Sequence, residues 1–361
     1  MLNRVRSASW TGVVPILAVL VLIATWGPEP AAVVLVLVGA LLVGSVLAAV
    51  HHAEVVAHRV GEPFGSLLLA VAVTVIEVAL IVTLMVSDGS KTATLARDTV
   101  FAAVMITCNG VVGLSLFVGA LRRGVASFNA EGTATALATV STLATLSLVL
   151  PRFTTSTPGL QFSTAQLAFA GVASFALYGL FVFVQTVRHR DYFLPVGVEV
   201  AADEHAAPPS SRQAFASLGL LVVALVAVVG LAKIESPAIE DAVEAIGAPP
   251  SAVGVVIALL VLAPETLAAV RNAVRDRVQT SFNLAFGSAM ASIGLTIPAI
   301  AVASIWLEGP LKLGLGSTQI VLLAITVVVG ALTVLPGRAT LQEGGVHLAV
   351  FAAFLFLAIN P

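Results

Sequence analysis

Two glutamates stand where a carboxylate is costly. One lies in Thr74-Val75-Ile76-Glu77-Val78-Ala79-Leu80, the other in Leu262-Ala263-Pro264-Glu265-Thr266-Leu267-Ala268. A carboxylate at membrane depth costs roughly 2.5–3.5 kcal/mol on insertion scales, so it is rare there and marks ion pathways. No Lys or Arg stands at mid-depth in either run to pair it. Such a pair suits reversible binding of a hard cation. Calcium takes about six to eight oxygens, and two carboxylates balance its charge. Further oxygens can come from carbonyls freed at interrupted helices and from water. Pro264 removes one helix hydrogen bond and exposes a carbonyl about four residues back. Thr74, Thr83, Asn109, Thr266, Ser288 and Ser292 are the nearby side-chain candidates. Ser and Thr in membrane helices often bond their own backbone, so about half of the six are expected to face a site. The expected cation ligands are Glu77, Glu265, Thr74, Asn109, Ser288 and Ser292. When the metal leaves, the carboxylates can take up protons, because burial and like charge disfavour their ionised form. Metal and protons competing for one pair would couple two fluxes.

A second polar cluster is His51, His52, Glu54 and His58. Glu54 and His58 share a helix face, as do His51 and Glu54. It reads as a wetted helix end or as a proton relay, since His titrates near neutral pH. The proton-coupling candidates are Glu62, His51 and Glu54. The cluster lacks the His-Glu-x-x-His spacing of a zinc hydrolase.

The elements that must hold these groups are membrane helices. Of 361 residues, 59% are hydrophobic and 10% charged, with mean hydropathy +1.07. A soluble domain carries about 25% charged residues. The net charge of −2 and pI near 6.3 leave no basic surface for nucleic acid. The single cysteine, Cys108, excludes a disulfide framework and reads as a small buried hydrophobe. A span needs about 20 apolar residues. Eleven are expected, at 12–26, 31–50, 63–86, 99–121, 133–150, 164–187, 214–233, 250–271, 280–306, 317–335 and 345–360. Pro63, Pro158, Pro237 and Pro310 are read as ends or loops. No cleavable leader is evident, so the first apolar run is expected to stay as a span.

With the N-terminus inside, Lys and Arg divide 12 inside against 5 outside, of 17 in all. The positive-inside rule then places the N-terminus in the cytoplasm and the C-terminus outside. The expected location is the cell inner membrane. An acidic linker, 188–213, follows span six. The chain divides into an extra span at 1–30, five spans at 31–187, the linker, and five spans at 214–361. Five is odd, so the second set runs opposite to the first, as in an inverted repeat. The fold expected is an all-α membrane protein of one plus two inverted sets of five helices. Both sets follow the glutamate helix with small and polar residues, Met105 to Gly110 and Gly287 to Ser292, which let backbones approach closely. Glu77 lies about 16 Å beyond Ser66 and Glu265 about 15 Å before Arg275 at helical rise, so both are expected near one level of the membrane.

These residues resemble the calcium/cation antiporter superfamily, in its proton-coupled branch, and are most similar to the bacterial calcium/sodium:proton antiporters. The resemblance rests on Gly61-Glu62-Pro63-Phe64-Gly65 through Glu77 to Asn109-Gly110, and on Ala263-Pro264-Glu265 through Gln279-Thr280-Ser281-Phe282-Asn283 to Gly287-Ser288-Ala289-Met290-Ala291-Ser292-Ile293-Gly294. It implies eleven spans, an acidic cytoplasmic linker, and Glu77 and Glu265 as the groups that bind the exported cation. Relatives often end a Gly-Asn-Ala-x-Glu pattern at these glutamates, where this chain has Val73-Thr74-Val75-Ile76-Glu77 and Val261-Leu262-Ala263-Pro264-Glu265. The expected activity is therefore transport, not enzymatic turnover. Calcium, with sodium or potassium as further cargo, is exchanged for protons, without a cofactor. A passive cation channel and an antiporter of monovalent cations alone are the alternatives. An intramembrane hydrolase finds no nucleophile–base set in the apolar runs. The sequence leaves the oligomeric state open.

Overall fold

The computed structural model describes residues 9–27, 30–61, 64–88, 93–196, 209–306 and 310–361. It is almost wholly helical. The helices are α1 (Trp10–Thr25), α2 (Ala32–Val60), α3 (Phe64–Asp88), α4 (Leu95–Arg123), α5 (Ala130–Arg152), α6 (Thr164–Arg188), α7 (Ser211–Ala245), α8 (Ser251–Val274), α9 (Val278–Ala303), α10 (Ser317–Val334) and α11 (Leu341–Ile359). Among the described residues, nine of them are long and apolar enough to cross a membrane, and Trp10–Thr25 and Val71–Val86 are shorter apolar segments. Apolar helices suit this setting because each satisfies its own backbone polar groups.

Among the described residues, the one extended pairing joins β1 (Ala126–Ser127) to β2 (Arg338–Ala339), antiparallel, with Ala126 opposite Ala339. It ties the turn after α4 to the turn before α11.

Most helix ends fall close to the sequence reading. Two helices run on further. The helix expected at 31–50 continues to Val60 and carries His51 to Arg59 with it. The span expected at 214–233 reaches Ala245. Pro237 therefore does not mark an end, and α7 passes through it. A Pro is tolerated inside a membrane helix where neighbouring groups re-satisfy the freed backbone. Pro264 likewise stands inside an unbroken α8.

Contacts divide the chain into two compact units. The first is Met1–Ser87 with Glu204–Ala242. In it α1 packs on α2. His52 points inward from α2 and its Nε2 donates to the Thr11 carbonyl of α1 at 3.0 Å. Arg59 of α2 donates to the Ser211 hydroxyl of α7 at 3.0 Å, and the Lys233 ammonium lies 5.3 Å from the centroid of the Trp26 ring.

The second unit is Asp88–Asp203 with Val243–Pro361. Here α4 and α9 are the two most deeply buried of the membrane-length helices. They pack against each other, and both pack against α8. This is the outcome expected of their small residues. At Gly113 a Cβ would stand 2.9 Å from the His347 Cβ, so only glycine lets α4 and α11 come this close. The polar start of α9 acts as a staple. Gln279 accepts from the Asn129 backbone N–H at 2.7 Å, Asn283 donates to the Phe193 carbonyl at 2.7 Å, and Ser281 donates to the Ala269 carbonyl of α8 at 2.6 Å. The Gln279-Thr280-Ser281-Phe282-Asn283 run therefore fixes α9 to the start of α5, to the short turn at Phe193 that follows α6, and to α8.

Candidate cation site

Each expected carboxylate lies near the middle of its helix. In the first unit Glu77 is buried on α3 at 5% exposure, with Thr74 buried one turn before it. Residues three apart share a helix face, so the two present adjacent oxygens. Glu62 lies outside the described residues. His51, Glu54 and His58 are exposed along one face of α2, and the inward histidine is His52. Of the proton-coupling candidates, the structure thus places His51 and Glu54 on the outside of that helix.

In the second unit Glu265 of α8 accepts from the Ser288 hydroxyl of α9. Its Oε2 is buried without a partner among the described residues. The buried Tyr178 of α6 lies within electrostatic reach of the carboxylate. A cation placed here would meet an unused oxygen whose desolvation is otherwise uncompensated. Ser292 lies one turn beyond Ser288 and is buried. Thr266 instead turns back on its own helix and donates to the Leu262 carbonyl at 2.8 Å, the behaviour expected for part of the hydroxyl set.

Asn109 is fully buried in α4, in a π turn over Ile106–Val111. π turns inside α-helices often accompany functional sites. Within this turn Thr107 donates its hydroxyl to the Ala103 carbonyl at 2.7 Å and approaches the Val104 carbonyl at 3.2 Å, the back-bond that Ser and Thr commonly make in helices. The Asn109 carboxamide is held at both ends. Nδ2 donates to Thr326 of α10 at 2.9 Å, and Oδ1 faces His347 Nδ1 of α11 at 3.2 Å. An amide oxygen has two lone pairs, so one acceptor position is left over. Cys108, beside it, is buried and free.

Three polar groups emerge that the sequence reading did not single out. Asp98, in the first turn of α4, is 3% exposed and pairs with Arg97 at 2.7 Å. Gln319 also donates to its Oδ1 at 3.4 Å. Glu235 of α7 lies against Gly39 of α2 and keeps its Oε2 buried. His347 is 2% exposed. Asp98 and Glu235 fall just beyond the span limits drawn from sequence. His347 is a lone polar residue in an apolar run, and that was its available signal.

Comparison with known proteins bears on what this arrangement serves. The family model described as sodium/calcium exchanger protein matches residues 30–187 and 216–360. The y4hA protein of Sinorhizobium fredii, which is named for ionic transport, is 47% identical over 99% of this chain and 99% of its own. The sodium-potassium/proton antiporter ChaA of Escherichia coli is 33% identical over 98% of this chain and 96% of its own. Among solved structures, native YfkE is similar in fold, with a TM-score of 0.71 at 18% identity over 98% of this chain and 99% of that one. The chain is a multi-span membrane transporter and belongs to the sodium/calcium exchanger family, within the calcium/cation antiporter superfamily.

Proposed function

We propose that this protein is a proton-coupled cation antiporter, exporting calcium in exchange for protons, with Glu77 and Glu265 as the carboxylates that carry the cation. The observation that carries the reading is Glu265, a mid-helix carboxylate with one oxygen on Ser288 and the other buried without a partner among the described residues. Protonation and metal binding are alternative ways to relieve such a group. Thr74, Asn109, Ser288 and Ser292 are the remaining proposed ligands. Among the described residues no three His, Cys, Asp or Glu side chains gather, so further ligands would be hydroxyls, carboxamides, carbonyls or water. Of the proton-coupling candidates, Glu54 and His51 on α2 would serve at a helix mouth rather than in a core.

The proposed architecture is one extra helix plus two inverted sets of five, bounded at 31–187 and 214–361. The two stretches matched by the family model, 30–187 and 216–360, support it. Proposed orientation is N-terminus cytoplasmic and C-terminus outside, in the cell inner membrane, with 188–213 as a cytoplasmic linker.

A second reading, exchange of sodium and potassium alone, is supported by the 33% identity to ChaA, a protein named for those ions. Everted membrane vesicles decide between them. A preformed pH gradient should collapse on adding calcium; collapse with sodium or potassium and none with calcium would favour the second reading. Undiminished exchange in Glu77→Gln and Glu265→Gln would overturn both.

A further inference from the structure

The second unit holds a buried polar chain that the carboxylates do not use. Thr326 and Thr333 of α10, Asn109 of α4 and His347 of α11 are each at most 3% exposed. The direction of every hydrogen in it follows from one end. The Leu322 carbonyl can only accept, and Thr326 Oγ1 lies 2.7 Å from it, so Thr326 gives its proton there. Its oxygen is left to accept from Asn109 Nδ2 at 2.9 Å. That orients the carboxamide, and Oδ1 is the end that faces His347 Nδ1 at 3.2 Å. An amide oxygen donates nothing, so Nδ1 carries the hydrogen, and the Cys108 backbone carbonyl of the same π turn is a second acceptor within reach of the ring. In the neutral ring Nε2 then accepts from the Thr333 hydroxyl at 3.1 Å.

The place of this clamp gives it a use. The π turn Ile106–Val111 packs against α8 and α9, which carry Glu265 and Ser288, and against α10 and α11, which carry the clamp. A π turn departs from the regular ladder, so the orientation of Asn109 is not guaranteed by helix geometry alone.

We infer that His347 is a positioning residue for cation exchange: its Nδ1–H holds the Asn109 carboxamide in the one orientation that offers the oxygen's second lone pair as a ligand. This rests on the reading of Asn109 as a cation ligand proposed above. Groups that orient a metal ligand from behind typically change affinity by about 10–100-fold when removed. The role uses a neutral ring and no proton transfer, which separates it from a proton carrier.

The test uses the full chain in proteoliposomes, with proton flux driven by calcium, sodium and potassium in turn. His347→Asn keeps a side-chain N–H at the place of Nδ1. His347→Gln puts its amide at the place of Nε2, against Thr333, and loses the donor to Asn109. His347→Asn should keep the wild-type KM and the wild-type pH profile. His347→Gln should raise the cation KM about 10–100-fold with maximal flux little changed. Thr326→Val frees the other end of the carboxamide and should raise KM to a similar degree; the double variant should be no worse than either alone. Wild-type KM in His347→Gln, lost exchange in His347→Asn, or a shifted pH profile in His347→Asn would overturn the inference. Where thermal melting shows His347→Gln unfolded, Thr326→Val decides, and wild-type KM there counts against it. Should the wild-type protein itself show no cation-driven proton flux, the antiport reading falls and takes this inference with it.

Discussion

Ser288 on α9 donates its hydroxyl to the carboxylate of Glu265 on α8. The bond joins two neighbouring, packed helices and leaves one carboxylate oxygen open. Replacing Ser288 by Ala should therefore weaken the site without removing its charge. The half-saturating cation concentration for collapse of a pH gradient in everted vesicles should rise about 10–100-fold. Ser288→Thr keeps the hydroxyl and should stay near wild type. Equal values for Ala and wild type would show that the hydroxyl does not serve the cation.

Glu77→Gln and Glu265→Gln remove a negative charge and a proton acceptor at once. Each should abolish cation-driven proton movement, while protein level and melting temperature in detergent hold. A buried neutral amide is less costly than a buried carboxylate, so stability should be kept or improved. Activity in one variant at wild-type level would clear that residue of the role.

Arg97 and Asp98 make a pair at 2.7 Å, with side-chain exposures of 12% and 2%. Arg97 also donates to the Gly314 carbonyl at 3.2 Å, fastening the segment before α10. Removing one partner of a buried pair costs about 3–5 kcal/mol, while replacing both by apolar groups can be neutral. Arg97→Met should lower the melting temperature strongly, and Arg97→Met with Asp98→Leu should recover much of the loss. A single variant as stable as wild type would mean the pair is compensated elsewhere.

Gly113→Val would drive a branched side chain into the His347 Cβ, 2.9 Å from where its own Cβ must sit. Overpacking of this kind costs about 1–3 kcal/mol. A lower melting temperature is expected, together with weaker cation affinity, because α11 carries the clamp on Asn109. Loss of stability with unchanged affinity would separate the packing of α11 from the site.

Much of this was legible in the chain because a membrane helix announces itself by length and apolarity. The glutamate helices, the small-residue helices behind them and the Gln279 to Asn283 run could all be located by reading. What failed to show depends on neighbours distant in sequence. Asp98 lies one residue outside the span drawn at 99–121, and the helix that buries it begins at Leu95. Glu235 lies just past the expected limit at Lys233, and α7 encloses it by running on through Pro237 to Ala245. Thr266 and Ser288 are both hydroxyl residues near Glu265, yet one bonds its own backbone and the other the carboxylate. Composition cannot separate those outcomes, because the difference is set by which way α9 faces α8.

The wide turn in the middle of α4 has a consequence for how this chain tolerates change. Such a turn amounts to one residue added to an otherwise regular coil, with both flanks keeping their contacts. Deleting Cys108 would let the coil close to ordinary pitch and leave Leu95–Met105 and Val112–Arg123 each able to keep its own packing face. The protein so shortened would be expected to assemble and yet to hold its cation more weakly, since the amide at the following position would be swung away from its partners on α10 and α11.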